Sequence, residues 1–160
     1  MRMRPGSTVP LHVVERKRST FPRSRPIVAD RMTRPPITIG WAEPVSAAVR
    51  VMSDHGIRHL PVVETDGRLI GILTESDVRE ALASEGVRDA RDASPTLIVG
   101  KAMSGKPVSV PPDMQLDTAI QLMAERTLSA LPVVDRDEVV GIITEADALA
   151  QIGGTAAVRR

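Results

Sequence analysis

Apolar residues along the first half of the chain change their spacing at position 44, and the change separates a strand from a helix. Residues 37–39 form a short strand candidate. After Pro44, apolar side chains recur at i, i+3, i+4 and i+7, which places them on one face of a helix. This helix is predicted to end at Gly56. The residues of this apolar stripe are Val45, Ala48, Val49 and Met52.

Two continuous apolar runs follow this helix, at residues 60–63 and 69–73. Runs without alternation are typical of strands covered on both faces. Asp66-Gly67 lies between them, so the two strands are predicted to form a hairpin. A second helix is predicted over residues 75–84, which completes a βαββα unit.

The same unit occurs twice, since three stretches recur in the same order at nearly constant offset. The second copy is one residue shorter in the hairpin turn, and it repeats the helical stripe as Leu116, Ala119, Ile120 and Met123. Three matches in register do not arise by chance, and two long copies favour a closed pair over an open solenoid. The matching stretches are 32–39 with 103–110, 60–66 with 131–137, and 71–77 with 141–147.

The predicted fold is therefore α/β (α+β), with two βαββα repeats packed in pseudo-twofold symmetry. A single repeat would bury too little surface to be stable alone. The predicted organisation is a basic N-terminal arm at 1–28, a first repeat at 29–84, a polar linker at 85–97, a second repeat at 98–151 and a tail at 152–160.

Charge and composition narrow the functional classes. The net charge is only +1, but residues 1–28 carry seven Lys or Arg against one acid. The rest of the chain has one Trp, no Tyr and no Cys, so base-stacking platforms, disulfides and thiolate zinc sites are excluded. Nucleic acid is expected to bind only through the basic arm, if at all. With no apolar run long enough for a signal peptide or a membrane span, a cytoplasmic protein is expected.

The two copies resemble the cystathionine-β-synthase (CBS) repeat. The resemblance lies in Ile57-Arg-His-Leu-Pro-Val-Val with Gly71-Ile-Leu-Thr-Glu-Ser-Asp, and in Leu128-Ser-Ala-Leu-Pro-Val-Val with Gly141-Ile-Ile-Thr-Glu-Ala-Asp. It implies a Bateman module that binds AMP, ADP, ATP or a related adenosyl compound, such as S-adenosylmethionine or NAD(H), between the repeats. It also implies a homodimer that regulates a partner, here an unknown protein.

The family pattern assigns ribose recognition to the Asp that ends each Thr-x-x-Asp motif, here Asp77 and Asp147. A carboxylate suits this role because it offers two acceptor oxygens to the ribose hydroxyls. The competing interpretation is a capping box, in which Thr74 and Thr144 begin helices and the aspartates stabilise them. A helix N-terminus at the same position favours a nearby phosphate.

Further ligand contacts follow from the same resemblance. Ile37 and Ile57, with Val108 and Leu128 of the second copy, are predicted to form an apolar slot for adenine, while backbone groups near Thr38 and Ser109 read its edge. Arg58 and His59 occupy positions of phosphate contact, but the second copy has Ser129 and Ala130 there, so the two sites are expected to be unequal. The full predicted set is Thr38, Ile57, Arg58, His59, Leu60, Pro61, Thr74, Asp77, Ser109, Leu128, Ser129, Ala130, Leu131, Pro132, Thr144 and Asp147.

Catalytic and metal-binding motifs are not found in the sequence. Gly56 is expected to separate His55 from His59, and no Walker A loop, GxGxxG turn or nucleophile elbow occurs. Trp41 is expected to pack on its own helix, and Met32, Met52, Met103 and Met123 are expected to fill the core. The leading hypothesis is thus a nucleotide sensor that needs no cofactor. A ligand-free dimerisation module with a partner-binding arm is the alternative, and an enzyme acting on a nucleotide is the third.

Overall fold

The computed structural model describes residues 25–152, with side chains described up to residue 150. Each repeat contributes one hairpin and two longer helices, and the predicted α+β fold is confirmed. The elements in chain order are a 3₁₀ turn at Val28–Asp30, β1 (Ile39–Gly40), α1 (Val45–His55), β2 (His59–Val63), β3 (Leu69–Thr74), α2 (Glu75–Ser84), α3 (Val99–Ala102), β4 (Ser104–Gly105), α4 (Leu116–Arg126), β5 (Ala130–Asp135), β6 (Glu138–Thr144) and α5 (Glu145–Ile152).

The two hairpins have the predicted antiparallel pairing, but their turns differ. In the first, Gly67 adopts a left-handed φ of 87°. In the second, β5 and β6 pair as far as Asp135 and Glu138, so only two residues form the loop. Both of them, Arg136 and Asp137, have positive φ. Positive φ at both positions is typical of a two-residue hairpin loop, which explains why the turn of the second copy is one residue shorter.

Each hairpin is extended by the segment that leads into the other repeat. β4 lies in the leading segment of the second repeat but pairs with Gly71 and Ile72 of β3 in the first. Conversely, Thr33 lies in the leading segment of the first repeat but bridges Ile142 of β6 in the second. An added Cβ atom would force a neighbouring methionine to move where these segments cross, because one added to Gly71 would lie 2.3 Å from Met103 Sδ and one added to Gly141 would lie 2.6 Å from Met32 Sδ. The two glycines therefore permit the exchange of leading segments between repeats.

The exchange extends into the hydrophobic cores. Val99 of α3 is fully buried in the core formed by α1, α2 and the first hairpin, which contains Leu60 and Leu73. Val28 is fully buried in the second core, together with Leu116, Leu131 and other residues of α4 and the second hairpin. The structural units are thus offset from the sequence repeats, and two repeats are needed to complete either core.

The helices begin and end where the sequence predicts. α1 ends at Gly56, which has a left-handed φ of 62°. Thr127 takes the equivalent position after α4 with a φ of 54°, although it is not glycine. Met52 and Met123 are buried, and Met32 and Met103 pack against the cores, which confirms the structural role predicted for these methionines.

Three local expectations need correction. The first strand is Ile39–Gly40 instead of residues 37–39, because β1 pairs only with the far end of β2 at Val62 and Val63. Residues 25–28, predicted to belong to the arm, are part of the fold: Pro26 O accepts a hydrogen bond from Leu116 N at 2.9 Å. Residues 1–24 of the arm and 153–160 of the tail lie outside the described residues. The linker has no helix or strand, yet its Ala90 and Leu97 are buried in the first core.

Candidate functional site

A cleft of about 270 Å³ opens between the repeats and is named here the main cleft. The loop before β2 forms one wall, and the turn from β6 into α5 forms the opposite wall. The exchanged segment at Thr33 lies beside Ile142, to which it is hydrogen bonded through backbone atoms in both directions. The lining residues are Thr33, Ile37, Gly56, Ile57, Arg58, His59, Ser129, Ile142, Thr144, Glu145 and Ala146. This composition combines an apolar slot with a polar end.

The turn at the polar end is held by a capping box around Thr144. Asp147 Oδ2 accepts hydrogen bonds from both Thr144 N and Thr144 Oγ1, each at 2.8 Å. Thr74 and Asp77 repeat this arrangement at 2.7 Å for both bonds. In each case the second carboxylate oxygen, Oδ1, accepts no hydrogen bond from the residues that the structure describes. Capping therefore occupies one acceptor of each aspartate and leaves the other available.

A second, open space of about 340 Å³ adjoins the main cleft, is lined mostly by exposed side chains and is named here the central cavity. Four residues line both spaces: Arg58, His59, Ser129 and Glu145. The other residues that line the central cavity are Thr74, Glu75, Ser76 and Arg79. The polar end of the main cleft is thus continuous with a region built from both repeats.

Backbone and side-chain hydrogen bonds fix the walls of the central cavity. Glu75 N donates to Arg58 O at 3.1 Å, and Glu145 N donates to Ser129 O at 3.0 Å, so both helices start against the preceding strands in the same way. His59 Nε2 lies 2.7 Å from Ser129 Oγ, which joins the two repeats directly. Burial and the neighbouring Arg58 lower the pKa of His59, although Glu145 and other nearby carboxylates act in the opposite direction. Near pH 7 the imidazole is therefore neutral and bridges the repeats without adding a cation.

The structure brings only part of the predicted ligand set into this site. Ile57, Arg58, His59, Ser129 and Thr144 line the main cleft, and Thr74 lines the central cavity. Asp77 and Asp147 are half-buried in the turns beside these spaces, without being among the lining residues. The buried side chains of the two Leu-Pro pairs and of Ala130 belong to the interior instead: Leu60, Pro61, Ala130, Leu131 and Pro132.

The predicted adenine slot is divided by the structure. Ile37 lines the main cleft with Ile57, whereas Val108 and Leu128 pack against the second core. Thr38 and Ser109 lie at two separate depressions near the hairpin tips. The four apolar residues belong to two pseudo-symmetric positions, and a slot made of all four does not form.

Sequence reasoning missed several residues of the site. Thr33 and Ile142 come together only through the exchanged segment, which the periodicity of the sequence does not reveal. Glu75 and Glu145 recur in both Thr-Glu-x-Asp motifs, and this recurrence could have drawn attention to them. Arg79 occurs in one copy alone, so the repeat gave no indication that it lines the central cavity.

Other expected features lie away from the main cleft. Trp41 is 39% exposed, and its ring lies against Gly100 of α3. Between residues 25 and 150 no group of three or more His, Cys, Asp or Glu side chains is arranged to hold a metal ion. Across residues 25–152 no helix has both the length and the apolar character that a membrane crossing needs.

Comparison with known proteins identifies the repeats. The family model for the CBS domain matches residues 28–84 and again residues 99–154. The CBS domain-containing protein YhcV of Bacillus subtilis is 35% identical over 120 residues, which are 75% of this chain and 81% of that protein. Several further relatives are enzymes, and this chain spans only 22% to 24% of their lengths.

Two solved structures show related pairs with adenosine compounds. The CBS domain pair of protein MJ0100, in complex with 5′-methylthioadenosine and S-adenosyl-L-methionine, superposes with a TM-score of 0.72 at 30% identity, covering 81% of this chain and 98% of that one. CBSX2 in complex with AMP superposes with a TM-score of 0.66 at 25% identity, covering 79% of this chain and 98% of that one.

Proposed function

This chain belongs to the CBS domain family, and we propose that it is a regulatory module that binds an adenosine-containing ligand in the main cleft. The main observation in support is that both repeats line this cleft. Ile57, Arg58 and His59 come from the first repeat, and Thr144 and Glu145 come from the second. An apolar slot with a polar end suits a purine joined to a ribose and a charged substituent. The solved pairs that hold adenosine compounds support the same ligand class.

The unused oxygen of Asp147 is the proposed ribose acceptor. Asp147 Oδ2 is occupied by Thr144, and Oδ1 remains free to accept from a ribose hydroxyl at the end of the cleft. Capping holds the carboxylate in position before the ligand arrives, which lowers the entropic cost of binding. The two interpretations of the Thr-x-x-Asp motif are thereby compatible, since each uses a different oxygen of the same side chain.

A thermal shift measurement with AMP, ADP, ATP, S-adenosylmethionine and NADH tests the proposal. A ligand at one hundred times its Kd adds about 2.7 kcal/mol to the free energy of unfolding. For a chain of this size that free energy corresponds to a rise in Tm of about 5–10 °C. If none of the five compounds raises the Tm, the chain is not an adenosine sensor.

The two aspartates provide a matched pair of variants. Asp77→Asn and Asp147→Asn alter capping boxes of nearly equal geometry, so both should lower the Tm of the free protein to a similar extent. We expect only Asp147→Asn to abolish the ligand-induced rise in Tm, because its turn forms the main cleft. A full ligand response in Asp147→Asn would place the ribose elsewhere.

We propose in addition that the module acts as a homodimer through its helical face and transmits ligand binding to a protein not yet identified. A groove between α1 and α2 is lined by Val49, Met52, Val78 and Leu82, and Leu149 on α5 is 66% exposed. Light scattering should give twice the chain mass of 17.2 kDa. Leu149→Glu should shift the mass towards the monomer, while Glu80→Gln on the exposed side of α2 should leave it unchanged.

A further inference from the structure

One side-chain hydrogen bond connects residues that lie far apart in sequence. His59 Nε2 and Ser129 Oγ are separated by 2.7 Å in space and by 70 positions along the chain. Every other side-chain hydrogen bond between residues 25 and 150 joins residues at most nine positions apart, and the ion pairs there join residues at most two positions apart. Within this part of the chain, the contact is therefore the one polar side-chain link between the two repeats.

The contact lies where the main cleft meets the central cavity, since both residues line both spaces. The repeats share backbone contacts through their exchanged leading segments, whereas their hydrophobic cores form two separate clusters. A side-chain link between the cores is thus provided here by a single hydrogen bond. His59 and Ser129 are placed to determine how far the wall before β2 lies from the second repeat.

The link forms on one side of the pseudo-twofold axis only. Ala130 and Arg58 stand at the positions equivalent to His59 and Ser129. The methyl group of an alanine neither donates nor accepts a hydrogen bond, so the same link cannot form a second time. The two copies therefore differ in how the repeats are joined, and the join is made beside the main cleft.

The strength of this link depends on the charge of His59. Burial has the largest effect on the pKa of His59 and lowers it below the ordinary value of 6.5, and Arg58 acts in the same direction. Carboxylates from two helices act in the opposite direction. The joined arrangement therefore binds a proton more weakly than one in which His59 is hydrated. The charged groups that face His59 are Arg58, Glu75, Asp77, Arg79 and Glu145.

We propose that the hydrogen bond between His59 and Ser129 holds the main cleft in its binding arrangement near neutral pH and releases it in mild acid. The inference rests on the proposed function, since it concerns a ligand in the main cleft. Release begins as the pH falls below about 6.5, the ordinary value for histidine, and is complete below the lowered pKa of the joined arrangement. An uncharged ligand buries His59 further, so its binding also disfavours the proton.

Isothermal titration calorimetry of the full chain at pH 7.5, 6.5 and 5.5 tests the inference. The probes are adenosine and 5′-methylthioadenosine, because neither carries a group that titrates in this range. We expect the affinity of the wild type to fall by about threefold or more between pH 7.5 and 5.5, within the limit of about tenfold per pH unit that one proton sets. An affinity that stays constant or rises in acid would overturn the inference.

Substitutions at the two linked positions separate a pH effect from a purely structural one. His59→Gln supplies an amide that can still bond Ser129 but does not titrate, so it should keep the affinity at pH 7.5 and remove its fall in acid. Ser129→Ala should weaken binding already at pH 7.5, and Ser129→Thr, which keeps the hydroxyl, should restore it. His55→Gln, at the exposed end of α1, is the control and should keep the wild-type pH profile. A wild-type profile in His59→Gln would overturn the inference while the proposed function stands.

Distances between the repeats give a second readout that needs no ligand. The chain has no cysteine, so spin labels can be attached through Asp54→Cys on α1 and Glu125→Cys on α4, which are exposed and equivalent positions. Pulsed electron paramagnetic resonance, with labelled chains diluted in unlabelled protein, should show a longer distance at pH 5.5 that is absent when His59→Gln is added. If neither probe binds at pH 7.5, the proposed function fails, and equal distance distributions in the two proteins would then overturn the inference as well.

Discussion

Replacing Val28 with alanine tests the exchange of leading segments between the repeats. Val28 lies at the N-terminal edge of the first repeat in sequence, but its side chain is fully buried in the second core. Its amide donates to Met114 O at 2.9 Å, which anchors the segment to the loop before α4. If residues 25–28 were part of a solvated arm, removing this side chain would have no effect.

The expected loss follows from the burial. Val28→Ala removes two methyl groups, each worth about 0.8 kcal/mol of transfer free energy, and leaves a small cavity that adds to the cost. The free energy of unfolding should therefore fall by about 2 kcal/mol. For a chain of this size the corresponding decrease in Tm is about 4–8 °C.

Urea denaturation followed by circular dichroism measures the change, with an unchanged m-value showing that the unfolded surface is the same. Val99→Ala is the matched variant, since Val99 is fully buried at the equivalent position of the first core. Arg31→Ala, at an exposed position three residues after Val28, is the control and should stay within about 0.5 kcal/mol of wild type. If Val28→Ala behaves like Arg31→Ala while Val99→Ala is destabilised, the exchanged segment does not form part of the second core.

Three further predictions concern the site and the arm. The pKa of His59 is lowered in the folded state, so the unfolded chain binds more protons near neutrality, and the free energy of unfolding should fall as the pH drops from about 7.5 to 5.5. Chemical denaturation at each pH measures this dependence, and His59→Gln should flatten it. An equal slope in the variant would contradict the assignment to His59. Gly141→Ala should destabilise the protein by about 1–3 kcal/mol, because the added Cβ meets Met32 Sδ and lies 3.0 Å from Thr33 O, and it should weaken ligand binding at the main cleft, which Thr33 lines. Gly71→Ala should lose a similar amount of stability but retain ligand binding. Equal ligand affinities in the two variants would show that Thr33 does not shape the cleft. Deleting residues 1–24 should abolish any salt-dependent retention on DNA, measured by filter binding between low and physiological salt, and unchanged retention would exclude the arm.

Local structure was predictable from the sequence because it depends on contacts between near neighbours. The stripe that includes Val45 and Met52, the stop at Gly56 and the capping box of Thr74 with Asp77 each involve residues a few positions apart, and all are present. The hairpins follow from the same local rules. Periodicity and turn chemistry suffice for features of this kind.

Long-range placement was not predictable in the same way. The repeats look complete in sequence, so Val28 was assigned to an arm, and Leu97 was assigned to a polar linker. Both are buried, because each hairpin needs an edge strand and a core side chain that only the other repeat's leading segment supplies. The same exchange brings Thr33 into the main cleft, which explains why the site could be predicted only in part. The duplication in the sequence identifies the repeated unit, but it does not show which repeat supplies the leading segment that completes each core.

Some of the divergence between the copies falls at positions that the shared framework does not constrain. Gly71 and Gly141 both lie beside a crossing methionine, and Asp77 and Asp147 both hold a helix start, so we expect a change in either pair to lower the stability. Arg58 and Arg79 face the central cavity with exposed side chains, and their counterparts Ser129 and Leu149 are equally free of core contacts. A change at such positions costs little stability, and it alters the charge around the central cavity. Because the carboxylates of Glu75 and Glu145 are retained in both repeats while the arginines belong to the first repeat only, we expect the charge around this space to favour one orientation of a bound ligand.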